Sequence, residues 1–224
     1  MALVGCATSS TTSETIVEVA GHVIAKGTFE HWMHVTASRD YELRPRHPVP
    51  SWTLPDAPQY TRCIAHLKAT AGTLASAPPG TPEASLKKLC EQRYEELRQQ
   101  VLGSLISGEW LIGEGETLGL TATQKAIEQR MERARRNGYH SEAEFQRDLS
   151  LAGETVADQL FRSKIKVFSE AIERRYTSKG APALQALISG LPKRWAAKTS
   201  CRPGYIVPNC RQYKGPTPPE IQLL

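Results

Sequence analysis

Apolar and polar positions alternate first in IVEVAGHVIAK, where Val17 and Val19 stand against Glu18. That period of two predicts a short strand, a turn at Gly21-His22 and a second short strand, and it gives His22 a structural place at the turn. The period then lengthens. In TFEHWMHV, Phe29, Trp32 and Met33 fall at i, i+3 and i+4, which predicts a short helix over 28–35 with one face in the core. Residues 39–60 contain Pro45, Pro48, Pro50, Pro55 and Pro58; prolines at that density exclude regular helix and predict an extended surface loop. A short helix carrying Cys63, Ile64 and Leu67 interrupts it, and a second loop rich in Pro, Gly and Ala runs to Gly80.

From Thr81 the helical period dominates. Thr81 followed by Pro82 opens a long helix whose stripe, Leu86, Leu89, Leu97, Val101, Leu105 and Trp110, continues to about Leu118, with Gly113, Gly115 and Gly119 expected to weaken and end it. Three capping boxes mark further starts: Thr121 with Gln124, Ser141 with Glu144, and Thr155 with Asp158. Gly138 and Gly153 supply stops. The predicted helices, near 122–137, 142–152 and 155–176, each bear one apolar face that must pack on the others. A final helix carries Leu184, Leu187, Ile188 and Leu191, is bent or restarted at Pro192, and leads to Trp195. SCRPGYIVPNC follows, in which Tyr205-Ile206-Val207 reads as a strand, and a Pro-rich tail closes the chain.

Composition adds bounds. The 224 residues are 40% hydrophobic and 23% charged, with mean hydropathy −0.40, the profile of a globular protein that can bury a core, and no stretch reaches the ~18 apolar residues of a membrane span. The net charge of +5 permits anionic partners without naming one. Arg130, Arg133, Arg135 and Arg136 are interleaved with Glu128 and Glu132, so pairing on a solvated helix face accounts for the densest basic run, and no nucleic-acid motif accompanies it.

Leu3-Val4-Gly5-Cys6 has the form of a lipobox, and the polar tract from Ala7 to Ser13 that of a tether. The basic and apolar regions that should precede a lipobox are missing after Met1, which implies a start further upstream. One lipobox cysteine plus an even remainder is the count of an exported lipoprotein. Four cysteines allow three pairings; the Pro203-Gly204 turn makes a Cys201–Cys210 loop easy to close, and the pairings favoured are Cys63–Cys90 and Cys201–Cys210. A zinc site from Cys63, His66, Cys201 and Cys210 lacks the paired spacing such sites use. His31 and His34, at i, i+3, could form half a metal site for which no third ligand can be named. Glu109, Glu114 and Glu116 could form a carboxylate cluster, although a solvated helix face explains them as well. No nucleophile elbow, phosphate loop or zinc-protease motif is present, so no cofactor, metal or catalytic residue is expected.

VEVAGHVIAKGTFEHWM resembles the strand, turn, strand and helix that open the chaperone-type N-terminal domain of the SurA/PrsA family of extracytoplasmic foldases. The run from EWLIGEGETLGLTATQ to FRSKIKVFSEAI resembles that family's helix series, and KRWAAKTSCRPGYIVPNC is similar to its closing segment in cysteine-containing members. The resemblance implies a mainly α fold with a small β element pairing the N-terminal hairpin with a strand at Tyr205-Ile206-Val207, in one domain over 16–213. Residues 1–15 are then a tether and 214–224 a tail.

It also implies a lipid-anchored, ATP-independent chaperone on the extracytoplasmic face of the membrane, acting on unfolded or newly exported polypeptides and not on nucleic acid. Isomerase-bearing members carry a parvulin domain before the final helix; here only ERRYTSKGAPA separates Ile172 from Leu184, so prolyl isomerase activity is the alternative and not the leading expectation. A surface lipoprotein with a structural or interaction role is another. Trp32, Met33, Trp110, Met131 and Trp195 are the client-binding candidates, and Cys6 the lipidation site.

Overall fold

In the computed structural model, which describes residues 14–73 and 77–215, the alternating stretch after Glu14 forms β1 (Thr15–Val19) and β2 (His22–Ala25). Ala20 and Gly21 both take positive φ between them, the backbone twist that a tight hairpin turn requires, so His22 opens the second strand instead of sitting in the turn. The third strand, β3, is Thr199–Cys201, antiparallel to β1 with Val17 opposite Cys201, and the sheet order is β2-β1-β3. The two ends of the domain are therefore tied together, but through the residues before the Pro203-Gly204 turn. Tyr205-Ile206-Val207 is not a strand: the segment turns on itself, with the Tyr205 amide donating to Arg202 and the Cys210 amide to Val207.

Seven helices are present among the described residues, and the fold is mainly α. The first, α1 (Lys26–Tyr41), is about twice the predicted length because Val35, Thr36 and Ala37 are buried beside Phe29, Trp32 and Met33. Burial on more than one side erases the single-stripe pattern from which a helix is read. After α2 (Thr61–Ala69) comes α3 (Glu83–Thr117), 35 residues and about 50 Å long. Its second half is buried almost all round, surrounded by α1, β1, α6 (Val156–Thr177) and α7 (Ala181–Ala196).

Gly113 and Gly115 lie inside α3 and do not end it. An added Cβ at Gly113 would lie 2.2 Å from the Trp195 indole, and at Gly115 2.2 Å from the Phe168 ring; the missing side chains are what let α7 and α6 approach. Gly119, with φ +71, sits beyond the end of the helix. The helix α4 (Gln124–Gly138) is capped by Thr123 and not by Thr121. In α5 (Glu142–Ala152) the Ser141 hydroxyl accepts from the Glu144 amide and Gly153 in the left-handed region ends the helix, while Thr155 and Asp158 form the full reciprocal box expected for α6. A single helix, α7, runs through Pro192.

Two apolar clusters result. The larger gathers β1, α1, the second half of α3, α6 and α7. The smaller holds Tyr60, Cys63, Ile64, Leu67, Ala77, Leu86 and Cys90, between α2 and the first turns of α3, and the half-buried Tyr94 packs on both. Disulfides Cys63–Cys90 and Cys201–Cys210, with Cα separations of 6.1 and 5.8 Å, staple the smaller cluster and the C-terminal segment.

Candidate functional site

Four of the five side chains expected to contact clients are core. Trp32, Met33, Trp110 and Trp195 are only 1–3% exposed, and the polar edges of two of the indoles are spent internally: Trp110 Nε1 donates to Thr199 Oγ1 (2.8 Å) and Trp195 Nε1 to Glu114 (2.7 Å). Trp32 packs on Phe161 beneath the Arg162 guanidinium. These rings position helices and present no groove. Met131 is half-buried on α4. Cys6 lies outside the described residues.

The other candidates also separate. His31 Nε2 donates to the Asp158 carboxylate at 2.8 Å, joining α1 to α6, and His34 is not beside it in any metal-ligating group; no such group occurs among the described residues. Nor do the three glutamates cluster: Glu114 is buried against Arg194 and Trp195, while Glu109 and Glu116 flank His22 at 3.0 and 3.6 Å. Cys63, Cys90, Cys201 and Cys210 are consumed in disulfides.

What the molecule does leave open lies along the proline-rich segment 42–60. Asp56 anchors its end by accepting from the backbone amides of Arg62 and Cys63, which start α2 (3.0 and 3.2 Å). Burial acts to raise the Asp56 pKa, yet those amide hydrogen bonds outweigh it and hold the carboxyl below its ordinary value. Midway, Trp52 stacks on His66 of α2, centroids 3.5 Å apart and planes 6° from parallel, and meets Tyr41 at the end of α1 edge-on at 5.4 Å. Burial, reinforced by the positive charge of Arg93, lowers the His66 pKa, so the stacked imidazole is neutral at neutral pH.

Around this aromatic row opens a cleft of about 370 Å³, floored by Ala37, Pro55, Cys63 and Leu97. Asp40 on its rim has a pKa raised by burial, an effect the Gln100 hydrogen bond partly offsets. On the other side of Pro55 a second cleft of about 300 Å³ is lined by Phe29, Met33, Leu54 and Tyr94. Leu43, 81% exposed, and Tyr41, 43% exposed, stand on the adjoining surface. Apolar and aromatic contact is mixed with polar groups in both clefts, Asp40, His66, Arg93 and Glu96 in the first and Glu30, His34, Asp56 and Arg62 in the second. Sequence reasoning missed Tyr41, Leu43 and Trp52; the available signal was a tryptophan between Pro50 and Pro55, in a segment with no helical stripe to bury it.

Compared with known proteins, the chain matches no family model, no curated protein and no solved structure.

Proposed function

We propose that the chain is an ATP-independent, chaperone-type module of the extracytoplasmic space, held at a membrane by lipid on Cys6, that binds unfolded or newly exported polypeptide segments. The observation that carries this reading is the pair of clefts on either side of Pro55, with Tyr41, Leu43 and Trp52 offering apolar area that the fold leaves uncovered. Hydrophobic contact with such a surface is non-directional, which suits clients of varied sequence. Two disulfides fit an oxidising compartment, and the resemblance of the hairpin-helix opening points to the same class. Prolyl isomerisation is left out of the proposal: in the resembling isomerases that chemistry belongs to an inserted domain, and residues 178–180 alone join α6 to α7 here.

The test is light scattering of a chemically unfolded client diluted into buffer with the protein. Wild type should suppress aggregation, Leu43→Asp, at a position 81% exposed, should weaken suppression without changing the unfolding midpoint, and Tyr41→Phe, which keeps the contact with Trp52, should retain it. No suppression by wild type at several-fold molar excess overturns the proposal.

A further inference from the structure

Charge is divided unevenly along the chain. Residues 1–119 hold ten Lys and Arg against thirteen Asp and Glu, whereas residues 120–215 hold eighteen against nine. Within the basic half, the seam between α4 and α6 opens into a groove of about 180 Å³ lined by Arg130, Ala134, Gln159, Arg162, Ser163 and Lys166, over Ile165. The small Ala134 side chain leaves the notch. No carboxylate lines it.

Its donors are unusually underused. Ser163 is 7% exposed, yet its hydroxyl has no hydrogen-bond partner among the described residues. The Arg162 Nε is fully buried and equally unpartnered, although the same guanidinium gives Nη1 to Glu154. Arg130 commits its Nε to Glu170 and keeps its terminal nitrogens without a partner among the described residues, and Lys166 is exposed and makes no ion pair there. Of these only the Arg162 Nε is a fully buried donor, left unmade at a cost in free energy; all four residues line one opening with excess positive charge around it. The carboxylates nearby, Glu154 and Glu170, do not line the groove and are occupied: Glu154 is shared by Arg39 and Arg162, and Glu170 is held by Arg130.

We propose that this groove binds a phosphate group, with the Ser163 hydroxyl, the accessible end of the Arg162 guanidinium, the free end of Arg130 and Lys166 as donors. Guanidinium forks and hydroxyls match the oxygens of a tetrahedral anion, and the volume, below the roughly 300–1,000 Å³ of pockets for drug-sized ligands, suits a single headgroup or free ion. The phosphate could be borne by a membrane lipid or by a small solute, and the experiment separates the two. The inference does not depend on client binding.

Inorganic phosphate is titrated calorimetrically into the full chain, and flotation is measured with vesicles of phosphatidylcholine alone and mixed with phosphatidylglycerol. Wild type should bind phosphate at one site. Lys166→Ala should weaken it about fivefold, the effect of one lysine at an anionic group, and Ser163→Ala should weaken it measurably. Lys87→Ala, which removes an exposed charge from the acidic half, should match wild type. Flotation only with phosphatidylglycerol and the same ranking of variants identifies a lipid headgroup; phosphate binding without flotation identifies a soluble phosphate. Absence of binding in both arms overturns the proposal, as does Lys87→Ala weakening binding as much as Lys166→Ala, or Ser163→Ala leaving it unchanged.

Discussion

Replacing Gly113 or Gly115 by alanine sets two opposed effects against each other. Inside a helix, glycine is worse than alanine by about 1 kcal/mol, so propensity alone predicts stabilisation. The new Cβ, however, would lie 2.2 Å from Trp195 Cη2 at Gly113, and 2.2 Å from Phe168 Cδ1 at Gly115, so each ring must retreat by about 1 Å from a packed interior. Neither ring is free to do so. Trp195 is pinned by its hydrogen bond to Glu114 and capped by Lys198, and Phe168 is 3% exposed in the main cluster.

Overpacking of this kind costs about 1–3 kcal/mol or more; with the rings unable to rotate away, the upper part of that range applies, and the net loss should be about 1–2 kcal/mol at each site. For a chain of this size that lowers the melting temperature by roughly 3–6 °C. Gly108 is the internal control: its added Cβ would meet the flexible end of Ile165 at 2.6 Å, which a rotamer change relieves, so Gly108→Ala should be near neutral. Urea unfolding under non-reducing conditions, monitored by tryptophan fluorescence, ranks the three variants. Stabilisation by Gly113→Ala and Gly115→Ala of the size that propensity predicts would refute the close-approach argument, and so would failure of Trp195→Leu to rescue Gly113→Ala in a double-mutant cycle.

Three further outcomes are expected. Removing Cys63–Cys90, which closes the longer loop, should cost more than removing Cys201–Cys210, roughly 3.5 against 2.7 kcal/mol on the chain-entropy model, and hydrogen exchange in the first case should rise in α2 before it rises in α6. Arg39 joins Asp148 (2.9 Å) to Glu154 (2.9 Å), whose side chain is fully buried; Arg39→Met leaves Glu154 to Arg162 and Asp148 to the Tyr139 hydroxyl, and should cost about 3 kcal/mol, the low end for breaking a buried pair, in denaturant midpoint comparisons.

Burial, then the hydrogen bond to Asp148 and its charge, push the Tyr139 hydroxyl up from 10.0 to about 12. The folded state therefore keeps that proton where the unfolded chain has lost it. This contribution to stability is fully present below pH 10 and disappears as pH rises through about 12. Tyr139→Phe should be less stable than wild type at neutral pH by about 1 kcal/mol, and a gap that does not narrow over that alkaline window would contradict the assignment.

Helices with one buried face and explicit caps were readable: the boundaries of α5 and α6 follow from Ser141, Gly153 and the Thr155–Asp158 box, all chemistry that acts within four residues. Where burial is on several sides the pattern is silent, as in α1. Gly113 and Gly115 mislead for a related reason, since a helix-weakening residue and a helix-contact residue are the same letter, and only the ring arriving from α6 or α7 tells them apart. The strand misassigned to Tyr205-Ile206-Val207 has the better β propensity; Thr199–Cys201 wins through its partner on β1, a non-local fact. The site was the least legible part. Large apolar side chains at helical spacing became core, while the half-buried Trp52 at the centre of the aromatic row came from a proline-rich segment whose placement depends on α2 and Asp56.

The pairing of β1 with β3 also sets a schedule for synthesis. A chain emerging N-terminus first delivers Thr15–Val19 at the outset, but its second neighbour, Thr199–Cys201, arrives only when nearly the whole domain has been made. Throughout that interval one edge of β1 carries open amides and carbonyls, a template to which other strands can add. The residues that close it come late, so a ribosome stalled short of Thr199 leaves an adhesive fragment, and arrival of β3 is what turns it into an unreactive body.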